Sequence, residues 1–81
     1  MITVEQVKSM ILGALPDATV QVDSDDLHHF EAVVVSVSFV GQRPVQRQQR
    51  VYAALNEPLT SGRLHALALK TLTPEEYTGK I

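Results

Sequence analysis

The segment Phe30-Glu31-Ala32-Val33-Val34-Val35-Ser36-Val37-Ser38-Phe39-Val40 places apolar side chains at both its odd-numbered and its even-numbered positions. Successive side chains of a β-strand point to opposite faces of the sheet. A strand that is apolar on both faces is typical of the middle of a sheet. We therefore predict that Phe30–Val40 is the central strand of a small sheet.

The residues before this strand predict a helix followed by another strand. Thr3-Val4-Glu5-Gln6 has the pattern of a capping box, and apolar residues then recur at helical spacing until Pro16 ends the helix. From Asp17 to Asp23 apolar and polar residues alternate, which is typical of a strand with one solvated face. Because Ser24-Asp25-Asp26 has turn chemistry, we expect a hairpin here, with the two aspartates in a solvated turn.

The residues after the central strand predict a helix, a short connector, a third strand and a last helix. Gly41 ends the central strand, and Pro44 fits the first turn of a helix that Pro58 interrupts. Leu64–Leu69 is a strand-like run, and Thr73-Pro74-Glu75-Glu76 repeats the start signal of a helix. A helical crossover between neighbouring strands makes them parallel. The sequence therefore predicts a single α+β domain over residues 1–81, with a three-stranded mixed sheet and helices on one side.

The composition excludes several classes of site. The chain has no Cys, which rules out a disulfide framework, a thiol nucleophile and an all-cysteine metal site supplied by this chain alone. It has no apolar run near the roughly 20 residues that a membrane helix needs, and no basic segment followed by an apolar one at the N-terminus. We therefore expect a cytoplasmic protein that does not bind membranes.

Three histidines are the candidate metal ligands: His28 and His29 in the hairpin, and His65 in the last strand-like run. Adjacent residues of a strand point to opposite faces, so at most one of the hairpin histidines can meet His65 on a single ion. A closed zinc site takes four ligands, so this chain alone does not supply a complete site. A site shared with a partner stays open, as does an ordinary structural role in which His65 hydrogen-bonds a neighbour.

Arg43, Arg47 and Arg50 are the second candidate group. Their spacing of i, i+4 and i+7 lines them up along one side of the predicted helix, and we expect that side to face solvent. Three phosphate contacts would make nucleic-acid binding weak and sensitive to salt. A solvated helix face, an acidic partner and a nucleic acid all remain compatible with this pattern.

The chain resembles the BolA family over nearly its whole length. The matching residues are Asp26, His29, Phe30, Val33-Val34-Val35-Ser36, Phe39, Gly41, Arg47, Val51-Tyr52, Leu55, His65-Ala66-Leu67 and Leu72-Thr73-Pro74-Glu75-Glu76. The resemblance implies the element order α-β-β-α-α-β-α, similar to a class II KH domain. This order agrees with the pattern described above and adds one helix before the last strand.

The resemblance also implies a function without catalysis. BolA-like proteins pair with monothiol glutaredoxins and together bind a bridged 2Fe-2S cluster, in iron homeostasis or in the delivery of clusters. His65 corresponds to the family's ligand on the last strand. The second ligand comes from the hairpin, where the absence of Cys leaves His28 and His29 as equal candidates. The partner would supply glutathione, and the isolated chain, a monomer or weak homodimer, would bind no cluster.

The same resemblance implies an alternative function. Members of the family have been described as transcriptional regulators in stress responses that bind DNA through the KH-like surface. In this chain that surface would use Arg43, Arg47 and Arg50. The sequence has no Gly-x-x-Gly loop of the kind that clamps a nucleic-acid backbone in KH domains. DNA is therefore the alternative partner to a glutaredoxin.

Overall fold

A computed structural model describes residues 2–79 of the chain. Four α-helices, three β-strands and one 3-10 turn follow each other in the order that the resemblance implies. They are α1 Val4–Ala14, β1 Thr19–Asp23, β2 His29–Val35, the 3-10 turn Val37–Phe39, α2 Pro44–Ala54, α3 Asn56–Ser61, β3 Ala66–Leu72 and α4 Pro74–Thr78.

The sheet has the strand order β1-β2-β3. β1 and β2 are antiparallel, with Val20 opposite Val34, and β2 and β3 are parallel, with His29 opposite Ala66 and Val35 opposite Leu72. The α+β class, the mixed three-stranded sheet and the central position of β2 are therefore confirmed. The described residues contain no helix long and apolar enough to cross a membrane.

The core lies between the helices and one face of the sheet. Phe30, Ala32 and Val34 of β2 point toward the helices and are almost fully buried, whereas Val33 and Val35 on the opposite face are only half-buried. The helices therefore pack on one face of the sheet, as predicted, and the apolar side chains of Val33 and Val35 lie on the face that the helices do not cover. The core consists of Ile2, Val7, Ile11, Leu15, Val20, Val22, Phe30, Ala32, Val34, Phe39, Val51, Leu55 and Leu64.

β2 ends at Val35, five residues earlier than the sequence predicts. The Ser36 hydroxyl donates to Asp17 Oδ2 (2.6 Å) and accepts from the backbone N–H of Ser38 (3.1 Å). These bonds begin a 3-10 turn, which places the Phe39 side chain in the core with no exposure to solvent. The Ser36 hydroxyl also lowers the pKa of the Asp17 carboxyl.

The connector and the third strand also differ in their bounds from the prediction. The sequence predicts that Pro58 interrupts the helical structure, but Pro58 lies in the first turn of α3. A proline is tolerated there, because backbone N–H groups in the first turn have no acceptor within the helix. Leu64 is buried before β3 begins, and pairing with β2 extends β3 to Leu72. The capping boxes predicted at Thr3 and Thr73 are both present.

Candidate functional site

The hairpin between β1 and β2 is held by the Asp26 carboxylate. One oxygen, Oδ1, accepts from the backbone N–H groups of His28 and His29, both at 2.9 Å. The other oxygen, Oδ2, lies 2.9 Å from His29 Nδ1. These bonds hold the pKa of Asp26 well below its usual range, and the bond from the His29 N–H has the largest effect. The turn chemistry of the sequence predicts only a solvated position for Asp26 and does not indicate its role as a positioning residue.

Leu27 fixes the direction in which the chain leaves this turn. Its φ of 59° lies in the left-handed region, which a leucine adopts only when its surroundings enforce it. The Ser24 hydroxyl accepts from the Leu27 N–H (2.9 Å) and donates to the His29 carbonyl (2.7 Å), so it closes the turn around Leu27. The turn therefore presents His28 and His29 in defined and different directions.

The structure brings His28 and His65 together. The Ala66 N–H donates to the His28 carbonyl (3.1 Å), which holds the start of β3 against the hairpin. The two imidazole rings lie edge to face, with their centroids 5.1 Å apart and their planes at 70°. Both residues are exposed, and they line a shallow depression together with Leu27 and the turn that follows α3. His65 lies directly before β3 rather than within it.

The structure separates His29 from this pair. The His29 side chain is 78% exposed and contacts Asp26. His29 lines a different depression, whose other walls include Ala66, Ala68 and the aspartates of the hairpin turn. The expectation that the two hairpin histidines point to opposite sides is confirmed. Of the two, His28 is the one that lies beside His65.

The chemistry of this pair fits half of a metal site. In residues 2–79 neither imidazole has a side-chain hydrogen bond of the kind that His29 makes with Asp26, so their nitrogens are free to bind a ligand. The same residues hold no group of three or more His, Cys, Asp and Glu that could bind a metal ion. A tetrahedral metal takes four ligands, with imidazole bonds of about 2 Å. Two imidazoles therefore need two further ligands from elsewhere.

Arg47 does not face solvent, and the expectation of three outward-facing arginines is wrong at this position. Its side chain is 9% exposed and forms an ion pair with Glu76 (Nη1 to Oε1, 2.7 Å). Its Nε donates to the Gln42 carbonyl (2.9 Å), and its guanidinium lies 5.9 Å from the Phe39 ring centroid. The helical periodicity is correct, but α4 covers this part of α2. Arg47 in turn lowers the pKa of Glu76.

The other two arginines have different environments. Arg43 is exposed at the start of α2. Arg50 is half-buried, donates to the Ser38 carbonyl (3.1 Å) and to Gln42 Oε1 (3.1 Å), and lies 5.7 Å from the Phe39 ring centroid. The three arginines therefore do not form one continuous exposed surface.

We expect the substitution Asp26→Asn to reduce the acid sensitivity of the fold. Because the folded-state pKa of Asp26 lies below its unfolded value of 3.8, the carboxylate stabilises the protein above about pH 4 and loses this contribution as the pH falls. Thermal melts between pH 5 and pH 2.5 should show a smaller drop in Tm for the variant than for the wild type. Parallel Tm profiles would contradict this role of Asp26.

Comparisons with known proteins give one consistent family. The family model described as BolA-like protein matches residues 14–76. A solved structure of a BolA protein homologue from Coxiella burnetii superposes with a TM-score of 0.83 at 42% identity, covering 96% of this chain and 99% of that one.

Two relatives carry names that describe a role. Acid stress protein IbaG of Escherichia coli (strain K12) is 35% identical over 72 residues, which cover 89% of this chain and 84% of that protein. The DNA-binding transcriptional regulator BolA of Haemophilus influenzae is 53% identical over 49 residues, which cover 60% of this chain and 47% of that protein. By name these relatives are a stress protein and a regulator, and neither is named as an enzyme.

Proposed function

This chain belongs to the BolA family, and we propose that it is a non-enzymatic adaptor that pairs with a monothiol glutaredoxin. In this pairing it holds a shared 2Fe-2S cluster through His28 and His65 and acts in iron homeostasis or in the delivery of clusters. The observation that carries the proposal is the pair of exposed imidazoles 5.1 Å apart in a chain without cysteine. Two imidazoles would supply the protein ligands of one iron, as in Rieske centres, while thiolates from the partner side would bind the other iron.

Ligation by imidazole in place of thiolate has two chemical consequences. It removes negative charge from the iron, which raises the reduction potential of such clusters, as the comparison of Rieske centres with all-thiolate ferredoxins shows. It also makes binding sensitive to protons, because only an unprotonated nitrogen binds the metal. Retention of the cluster in the mixed complex should therefore fall between pH 8 and pH 6. This chain would then favour release of the cluster as the pH falls.

We expect His28→Ala and His29→Ala to differ in the amount of iron that they retain, although the two residues are adjacent. Each variant is mixed with a monothiol glutaredoxin, glutathione, ferrous iron and sulfide, and the iron that co-elutes with this chain in gel filtration is measured. His28→Ala should lose most of this iron, because it removes one of the paired imidazoles. His29→Ala should keep it, because His29 contacts Asp26 instead of His65. The reverse result would assign the hairpin ligand to His29.

The alternative function is DNA binding by a transcriptional regulator in a stress response. It is supported by the name of the Haemophilus influenzae relative, which matches this chain over 49 residues. Among the three arginines, Arg43 is the exposed one, while Arg47 is paired with Glu76. A phosphate-binding surface would therefore rest mainly on Arg43 and on part of Arg50. DNA binding is therefore the second candidate function.

A further inference from the structure

β3 forms one edge of the sheet, and its outer side has no neighbouring strand in the part of the chain that is described. The Ala66 N–H donates to His28, and the Leu72 carbonyl accepts from the Ser36 N–H, so the even-numbered residues of β3 direct their backbone groups toward β2. In a parallel pair the alternate residues direct theirs away. Leu67, Leu69 and Thr71 therefore present backbone donors and acceptors along the outer edge.

The side chains at this edge are incompletely covered. Leu67 and Leu69 face the helices but are only half-buried, whereas Phe30 and Val34 on the neighbouring strand are 1% and 0% exposed. On the opposite face the edge carries two small exposed alanines and one charged residue, Lys70. Natural edge strands are protected by charges, prolines or short length. β3 runs for seven residues with a single charge, so it is suited to pairing with another strand.

We propose that β3 pairs with β3 of a second copy of this chain, antiparallel and with Ala68 on the two-fold axis. The two sheets then form one sheet of six strands. This inference does not depend on binding of a cluster.

The pairing of residues across the two-fold axis explains why the partner strand is a second copy of β3. With Ala68 opposite Ala68, Leu67 of each copy lies opposite Leu69 of the other, and both residues direct their backbone groups toward the partner strand. Each strand thus satisfies the other's donors and acceptors, and the half-buried leucines cover one another. Lys70 lies opposite Ala66, so like charges do not face each other, whereas a register centred on Lys70 would oppose two lysines. The edge is therefore complementary to itself, as a two-fold interface requires.

Amide exchange tests the interface directly. Hydrogen–deuterium exchange followed by NMR is measured over a range of protein concentrations, together with the sedimentation coefficient. The amides of Leu67, Leu69 and Thr71 should gain protection as the concentration rises and the dimer forms. The amides of Ala68 and Lys70 bond within the sheet and should be protected at every concentration. A monomer at millimolar concentration, or a dimer in which the three outward amides exchange freely, would overturn the proposal.

Charge at the two-fold axis provides the matched variants. Ala68→Lys places two lysines opposite each other and should weaken the dimer about tenfold. In the monomer this lysine lies opposite Glu31, so the fold is retained. Ala68→Glu is combined with Glu31→Gln, because a glutamate at position 68 would otherwise oppose Glu31 within the monomer. This variant should also weaken the dimer, and an equal mixture of it with Ala68→Lys should form the mixed dimer preferentially in native mass spectrometry. Ala53→Lys, on the exposed side of α2, is the control and should leave the dimer unchanged. Equal affinity in all variants would place any dimer interface elsewhere.

Discussion

His65→Ala should remove nearly all of the iron that co-elutes with this chain when it is mixed with a monothiol glutaredoxin, glutathione, ferrous iron and sulfide. The substitution deletes one of the two paired imidazoles and leaves one ligand where the iron needs two from this side. Because His65 is exposed, its replacement should change the free energy of unfolding by less than about 0.5 kcal/mol. A loss of iron at unchanged stability would therefore report on ligation.

Two controls separate ligation from other effects of this substitution. His65→Cys restores a ligand of another type, so it should retain the iron and lower the reduction potential of the complex, because thiolate adds negative charge. DNA binding should be unaffected by His65→Ala and weakened by Arg43→Ala, which removes the exposed arginine. If His65→Ala retains the full amount of iron, His65 has a structural role and the proposed site is wrong.

Phe39→Ala should cause a large loss of stability. The Phe39 side chain is fully buried, and truncation of a buried phenylalanine costs about 3 to 5 kcal/mol through lost transfer energy and the cavity that remains. In a domain of this size the Tm should fall by more than about 12 °C. The ring also lies beneath the guanidinium groups of Arg47 and Arg50, which lose this contact.

Chemical denaturation with matched variants checks this prediction. Val40 directly follows Phe39 and is also apolar, but it is 64% exposed. Val40→Ala should therefore lower the free energy of unfolding by less than about 0.5 kcal/mol. Phe39→Leu keeps most of the apolar volume and should fall between the two. Equal stabilities for Phe39→Ala and Val40→Ala would show that the 3-10 turn does not anchor the core.

The order and type of the elements were predictable because local signals specify them. Capping boxes at Thr3 and Thr73 mark the starts of α1 and α4, and both are formed within four consecutive residues. The alternating pattern of β1 and the apolar run of β2 identify the hairpin, and the helical crossover determines that β3 is parallel to β2. Signals of this kind are present in the sequence itself and need no information about distant contacts.

The sequence predicts the end of β2 and the exposure of Arg47 incorrectly, because in both cases a residue distant in the chain determines the local structure. β2 stops at Val35 because Ser36 bonds with Asp17, which lies 19 positions earlier in the chain. Arg47 is buried because Glu76, 29 positions later, covers it and pairs with it. Helical or strand periodicity identifies the side of an element on which a residue lies, but it does not specify what packs there.

The candidate site was predictable only in part for a related reason. Alternation along a strand establishes that His28 and His29 diverge, but it does not establish which of them meets His65. That choice depends on the left-handed conformation of Leu27 and on the bonds of Asp26, which orient the end of the hairpin. Leucine gives no sequence signal for a positive φ, so the sequence alone does not distinguish the two histidines.

Pulsed EPR of the reduced mixed complex tests the central proposal most directly. Only this chain is labelled with ¹⁵N-histidine, and the glutaredoxin is left unlabelled. We expect ¹⁵N hyperfine coupling from two imidazoles, unchanged in His29→Ala and reduced to one imidazole in His28→Ala. A complex in which the cluster forms without any ¹⁵N coupling from this chain would contradict the proposal that His28 and His65 bind the iron.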